Sequence, residues 1–147
     1  LQHLSLALAL VLGLAFNGGL VAQTPLEPDP GLQARLAKYV EARLAGDWAT
    51  AYRLELRSRN PEDPADPMLY YQERSKQKRL SKARVDGVTQ EGDVATAKLS
   101  GVEILALGSH SFQVPRFFES RWQRADGDWY QVEWRQYVPE EILKLQA

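Results

Sequence analysis

FFESRWQRADGDWYQVEWRQY, residues 117–137, is two alternating runs around Asp126-Gly127-Asp128. Successive side chains of a strand point to opposite faces. Phe118, Ser120 and Trp122 therefore share one face of the first run, and Tyr130, Val132 and Trp134 one face of the second. The other parity, Glu119, Arg121, Gln123, Gln131, Glu133 and Arg135, reads as a solvated face. An Asp-Gly pair alone favours a two-residue type I′ turn. That turn would set Trp122 against Gln131 and Arg121 against Val132, mixing the faces, so the spacing predicts a three-residue loop. Two such loops keep the faces clean. Asp126-Gly127-Asp128 puts Glu119 opposite Arg135 and Arg121 opposite Glu133; Ala125-Asp126-Gly127 puts Trp122 opposite Tyr130. Each such pair is worth roughly 0.2–1 kcal/mol, too little to choose between them.

Upstream of this hairpin the period stays at two as far back as Ala83. Strands are expected at 82–90, 94–107, 112–124 and 129–138, with turns at Glu91-Gly92-Asp93 and Gly108–Ser111. In the second strand Ala95, Ala97 and Leu99 share one parity, whereas Val102 and Ile104 have the other. Ser100-Gly101 sits at the switch, which predicts a bulge there. Pro115 should mark a bulge or an open edge. Residues 139–147 read as a short helical tail.

The first half has helical signals. Asp29 is placed to cap a helix with Pro30 at its first position. Leu32, Leu36, Tyr39, Val40 and Leu44 recur on one stripe, and Gly46 and Asp47 end this helix and cap the next. Trp48, Ala51, Tyr52 and Glu55 fall on one side of the second helix, which Asn60-Pro61 stops. Residues 61–67 (PEDPADP) read as a rigid acidic loop, and Asp66-Pro67 starts a third helix running to about Leu80. Three helices followed by a four-stranded antiparallel meander argue an α+β domain, with the helices on one face of the sheet.

The 147 residues carry 18 basic and 19 acidic side chains and no cysteine. The balanced charge calls for no polyanionic partner, and nucleic acid is not expected. Disulfides, thiolate nucleophiles and Cys-ligated zinc are excluded. Residues 4–16 are almost unbroken Leu, Ala, Val and Gly, followed by Asn17-Gly18-Gly19 and Leu20-Val21-Ala22. That pattern predicts a secretory signal peptide over 1–22, cut after Ala22. It is shorter than the ~20 residues of a membrane span. The proline-rich segment 23–31 then reads as a linker, 32–138 as the domain and 139–147 as its tail. The chain is expected to be exported, to the periplasm or beyond, and to meet membrane only through the export signal.

The order of elements resembles the NTF2-like (SnoaL-like) superfamily, specifically its small exported members. On the helical side the residues carrying the likeness are Tyr39-Val40-Glu41-Ala42-Arg43-Leu44-Ala45-Gly46-Asp47-Trp48-Ala49-Thr50-Ala51-Tyr52. On the strand side they are Gly92-Asp93-Val94-Ala95-Thr96-Ala97 and Asp126-Gly127-Asp128-Trp129-Tyr130. The resemblance implies a cystatin-like cone, a curved sheet closed over by helices. Many members insert a strand pair between the second and third helices; here only the proline loop stands there. The family includes isomerases, dehydratases, hydrolases and non-catalytic binding or assembly domains, so the fold does not choose among them. Its enzymes often use an Asp or an Asp/His pair inside the cone, and no residue here matches such a motif.

Chemistry-bearing residues are few. His3 lies in the presumed signal and His110 in a turn, no spacing suggests a metal site, and there is no phosphate loop or nucleophile elbow. No cofactor is implied. Glu103, within Val102–Leu107, is expected to face solvent opposite Val102 and Ile104; buried, it would be the one general acid or base. Arg74, Lys76, Lys78, Arg79, Lys82 and Arg84 form a basic run read as a solvated face, since the charges spread around the helix. Tyr52, Tyr71, Phe118, Trp122 and Trp134 are expected to converge between helices and sheet, chiefly as core. With Glu103 they are also the candidate pocket for a small apolar ligand. The expected function is a non-catalytic ligand-binding or assembly module of the cell envelope, its partner a small ligand or an envelope protein. The alternative is a lyase or isomerase using acid/base chemistry in the cone, which requires a titratable group inside.

Overall fold

The computed structural model describes residues 27–60, 67–77 and 80–147. The expected signal peptide, residues 23–26 of the linker and most of the acidic loop lie outside the described residues. Three helices precede the sheet: α1 (Pro30–Ala45), α2 (Trp48–Leu54) and α3 (Pro67–Ser75), with a 3-10 turn, Leu56–Arg59, after α2. Four strands follow, β1 (Leu80–Glu91), β2 (Val94–Leu107), β3 (His110–Ala125) and β4 (Asp128–Tyr137), and then α4 (Glu140–Leu145). The strands pair antiparallel in sequence order, so the sheet is a meander.

The helix ends fall where the caps put them. The Asp29 carboxylate accepts from Gly31 N at 2.7 Å, and Asp47 from Thr50 N at 3.1 Å. These bonds hold both carboxyls below the usual carboxylate range: at Asp29 chiefly the Trp129 indole N–H, then Gly31 N; at Asp47 the Thr50 side chain, then its N–H. Gly46 takes a left-handed φ of 70°, which glycine adopts without strain. Asp29 also reaches the sheet, accepting from Arg124 Nη2 at 2.8 Å and Trp129 Nε1 at 3.2 Å. The third helix is shorter than expected. It ends at Ser75, because Leu80 is already drafted into β1 opposite Glu103.

The core lies between α1, α2, α3 and one face of the sheet. Leu32, Leu36, Tyr39 and Ala51 face Ala95, Ala97, Leu99 and Trp122, all buried. Tyr39 meets the Trp122 ring edge-on at 5.7 Å, an aromatic geometry worth more than its area alone.

The hairpin corrects the predicted loop. Asp126 (φ 51°) and Gly127 (φ 82°) form a two-residue turn with both residues left-handed, pairing Trp122 with Gln131. A bulge then absorbs Val132, so that Arg121 faces Glu133 and Glu119 faces Arg135. The turn chemistry is met and the charge pairs are recovered one residue later. The cost is that Gln131, expected in solvent, is buried, while Val132, expected in the core, is 37% exposed.

The other bulge also moves. The β2–β3 ladder is unbroken through Ser100 and Gly101, and the extra residues are in β1, at Ser81 and Asp86. A Cβ on Gly101 would stand 2.8 Å from Lys82 O, so this glycine makes room for the kink in β1 rather than kinking itself. Without a switch of parity, Glu103 stays on the face of Ala95, Ala97 and Leu99. The expectation that it faces solvent is wrong: it is 8% exposed. Pro115 lies past the end of β4, on an open edge, and leaves the ladder to β2 intact.

Candidate functional site

Two polar clusters sit beneath the helices. The first centres on Glu55, which ends α2 in an extended conformation and bridges to Gln131. Its Oε1 accepts from Tyr39 at 2.9 Å and Tyr70 at 2.7 Å, and its Oε2 from Arg57 Nε at 2.7 Å. Arg43 Nη1 donates to Tyr39 at 3.1 Å. Burial pushes both phenols well above their usual range, and at Tyr70 the bond to Glu55 adds to it. At Arg57 burial is the largest single influence and lowers the guanidinium, but the charge and hydrogen bond of Glu55, together with Tyr70, outweigh it and the net shift is upward. Every oxygen of this carboxylate is occupied, so the cluster reads as a polar brace between α1, α2 and α3.

The second cluster faces a cavity of about 290 Å3 between the helices and the sheet. Its walls include Arg43, Trp48, Arg74, Glu103, Phe118 and Trp134. Glu103 Oε2 accepts from Arg116 Nε at 2.7 Å. The Arg43 guanidinium lies 4.2 Å from the Trp134 ring centre and 5.6 Å from that of Trp48. Arg74 sits over Tyr70 at 5.2 Å and donates to Gln77 at 3.3 Å. Among the described residues no carboxylate pairs with Arg43 or Arg74. Both stand in the last turn of a helix, where the helix dipole favours a cation. The cavity therefore has aromatic rings, one carboxylate already engaged by Arg116, and two arginines that no described carboxylate pairs with.

The six expected pocket residues divide. Phe118, Trp134 and Glu103 line this cavity. Trp122 is wholly buried in the core, its indole N–H donating to Ser120 at 3.0 Å. Tyr52 and Tyr71 turn aside to ring Tyr70, with centroids 5.0 and 5.9 Å from it. His110 is exposed at the far hairpin end, and no group of His, Asp or Glu suited to a metal occurs among the described residues.

No family model and no curated protein matches the chain by sequence. Solved structures match its shape. The CaMKII hub of S. rosetta is 14% identical, with a TM-score of 0.55 over 78% of this chain and 98% of that one. A candidate dehydratase from the NTF2-like family of Streptomyces avermitilis is 12% identical, with a TM-score of 0.51 over 71% and 90%. A protein of unknown function from Mycobacterium tuberculosis is 19% identical, with a TM-score of 0.50 over 73% and 69%. This is an NTF2-like fold. Between α2 and α3 the described residues hold a 3-10 turn and one isolated bridge, not a strand pair.

Sequence reasoning missed Arg43 and the Glu55 brace, and read Arg74 as part of a solvated basic run, whereas it lines the cavity. A usable signal existed for Glu55, a carboxylate at the end of the stripe Trp48, Ala51, Tyr52. None existed for the two arginines, because nothing local shows that a cation lacks a partner.

Proposed function

We propose that this domain is an exported, non-catalytic binding module that takes a small anion with an apolar body in the cone cavity. The carrying observation is Arg43, lying over the Trp134 ring in the cavity with no carboxylate of the described residues in ion-pair distance. A guanidinium held on aromatic faces is oriented for a carboxylate or similar anion, and the rings supply apolar contact. The volume suits a ligand of only a few heavy atoms, at the small end of ligand sites. Export rests on residues 1–22 and the proline linker; intact mass from the envelope fraction should begin near Gln23, whereas a full-length cytosolic chain would refute it.

The ligand test uses benzoate against benzamide, read by quenching of Trp48 and Trp134 fluorescence. Benzoate should bind and benzamide should not, and Arg43→Gln should abolish the difference. Equal binding of both probes, or no effect of Arg43→Gln, would overturn the reading. The second reading, acid/base catalysis by a lyase or isomerase, is favoured by one observation: Glu103 is buried on the cavity wall. Its bond to Arg116 opposes it, since a carboxylate engaged by a guanidinium is a poor proton acceptor. An NMR titration in which Glu103 still carries its proton at pH 6 would transfer the argument to that reading.

A further inference from the structure

β2 and β3 run on beyond the rest of the sheet. β1 begins opposite Glu103 and β4 ends opposite Phe117, but the β2–β3 ladder continues to Leu107↔His110. One face of the resulting two-stranded arm carries Leu107, 67% exposed, and Phe112, 50% exposed; the other carries Ile104, 45% exposed, beside Ser111 and Gln113. Between Glu103 and Arg116 the sequence carries no charged residue, and His110 is its one titratable side chain.

The open edge of β3 can be assigned residue by residue. Residues flanking a two-residue turn exchange both backbone bonds. Ala125 and Asp128 flank one such turn, so odd-numbered β3 residues direct their N–H and C=O toward β4. Leu107 and His110 flank the other, so even-numbered residues face β2. Arg124 N donating to Asp93 O at 2.7 Å agrees. Where β4 has ended, Ser111 and Gln113 therefore point their backbone outward. Ser111, Phe112 and Gln113 are exposed, so no described segment covers them. Pro115 sits on the same outward parity, where its missing N–H costs the β2–β3 ladder nothing.

We propose that two copies of this chain pair along this edge, β3 antiparallel to β3, about a two-fold axis at Phe112. Outward backbone groups call for hydrogen-bonding partners that lipid does not supply and another strand does. A two-fold axis sets like residues near each other, which a charged edge would resist and this uncharged one does not. The parity fits. Ser111 exchanges two backbone bonds with the partner's Gln113, and Gln113 two with the partner's Ser111. Phe112 then faces the partner's Phe112 as a non-bonded pair, where cross-strand side chains are closest.

Sedimentation equilibrium of the mature chain tests this. The wild type should be a dimer at micromolar concentration. Gln113→Pro removes an outward N–H at a parity that already tolerates Pro115, and Phe112→Lys sets two cations at the axis. Each should weaken association by about 100-fold with the far-UV circular dichroism of the folded chain unchanged. Phe112→Cys offers a positive readout in a chain with no other cysteine: it should form a disulfide-linked dimer on mild oxidation, as the ~4.5 Å Cα separation of a non-bonded pair permits. A wild type that stays monomeric at all concentrations, or a dimer that survives both Gln113→Pro and Phe112→Lys, would overturn the proposal. So would failure of Phe112→Cys to cross-link.

Discussion

Glu55 and Glu103 are similarly buried, at 4% and 8% exposure, and each has an arginine nitrogen at 2.7 Å. Their surroundings differ. Glu55 accepts from two phenols and a guanidinium, carried by three helical segments, so that each of its oxygens is engaged. Glu103 stands on the wall of a cavity that also holds Arg43 and Arg74. The comparison teaches that burial with a partner does not distinguish a brace from a site. Glu55 also borders a cavity, of about 420 Å3, so what marks it as a brace is that its donors tie α1, α3 and the 3-10 turn to one carboxylate.

The sharpest way to break the comparison is to delete each carboxylate. Glu55→Ala should destabilise by about 3–5 kcal/mol in urea melts, because it leaves a cavity in the core and strands two buried phenols, along with a half-exposed guanidinium. Trp122→Ala sets the scale for that loss, at about 3–5 kcal/mol for a large core side chain. Glu103→Gln should cost only about 1–2 kcal/mol, since an amide keeps one hydrogen bond and water reaches the cavity. Equal losses at the two glutamates would erase the distinction.

Alkali sharpens it from another side. Tyr39 and Tyr70 have folded values raised above the usual 10.0, so the folded state retains their protons longer than the unfolded chain does. Their contribution is whole below about pH 10 and is lost as pH climbs toward the folded values. The melting temperature should begin to fall near pH 10, and Tyr39→Phe should flatten that fall. A Glu103→Gln variant should show the same alkaline fall as the wild type. The smallest effect is expected at the surface. Arg121 and Glu133, 3.7 Å apart with side chains 57% and 49% exposed, form a pair for which Arg121→Ala should cost under about 1 kcal/mol.

The helices were legible because their signals are local. Asp29, Pro30, Gly46 and Asp47 each act on backbone within one turn. The strand faces were legible up to each bulge and misleading beyond it. At Val132 two local rules conflict, the Asp-Gly turn and the alternation of faces, and a bulge satisfies both at the expense of Gln131. At Gly101 the sequence marked the right place but the wrong strand, because the kink belongs to the chain that pairs with it. Glu103 followed from that error. The cavity arginines were illegible for a different reason: their lack of a partner is a property of the assembled cone, spread over α1, α3 and β3.

The tie at Asp29 has a mechanical consequence. Any tension applied through the preceding segment arrives at this residue. Its backbone N–H is bonded to Gln90 of β1, and its carboxylate to the first turn of α1, to Arg124 of β3 and to Trp129 of β4. A pull is thus divided among four elements at once and loads the sheet in shear, instead of unzipping α1 turn by turn from its end.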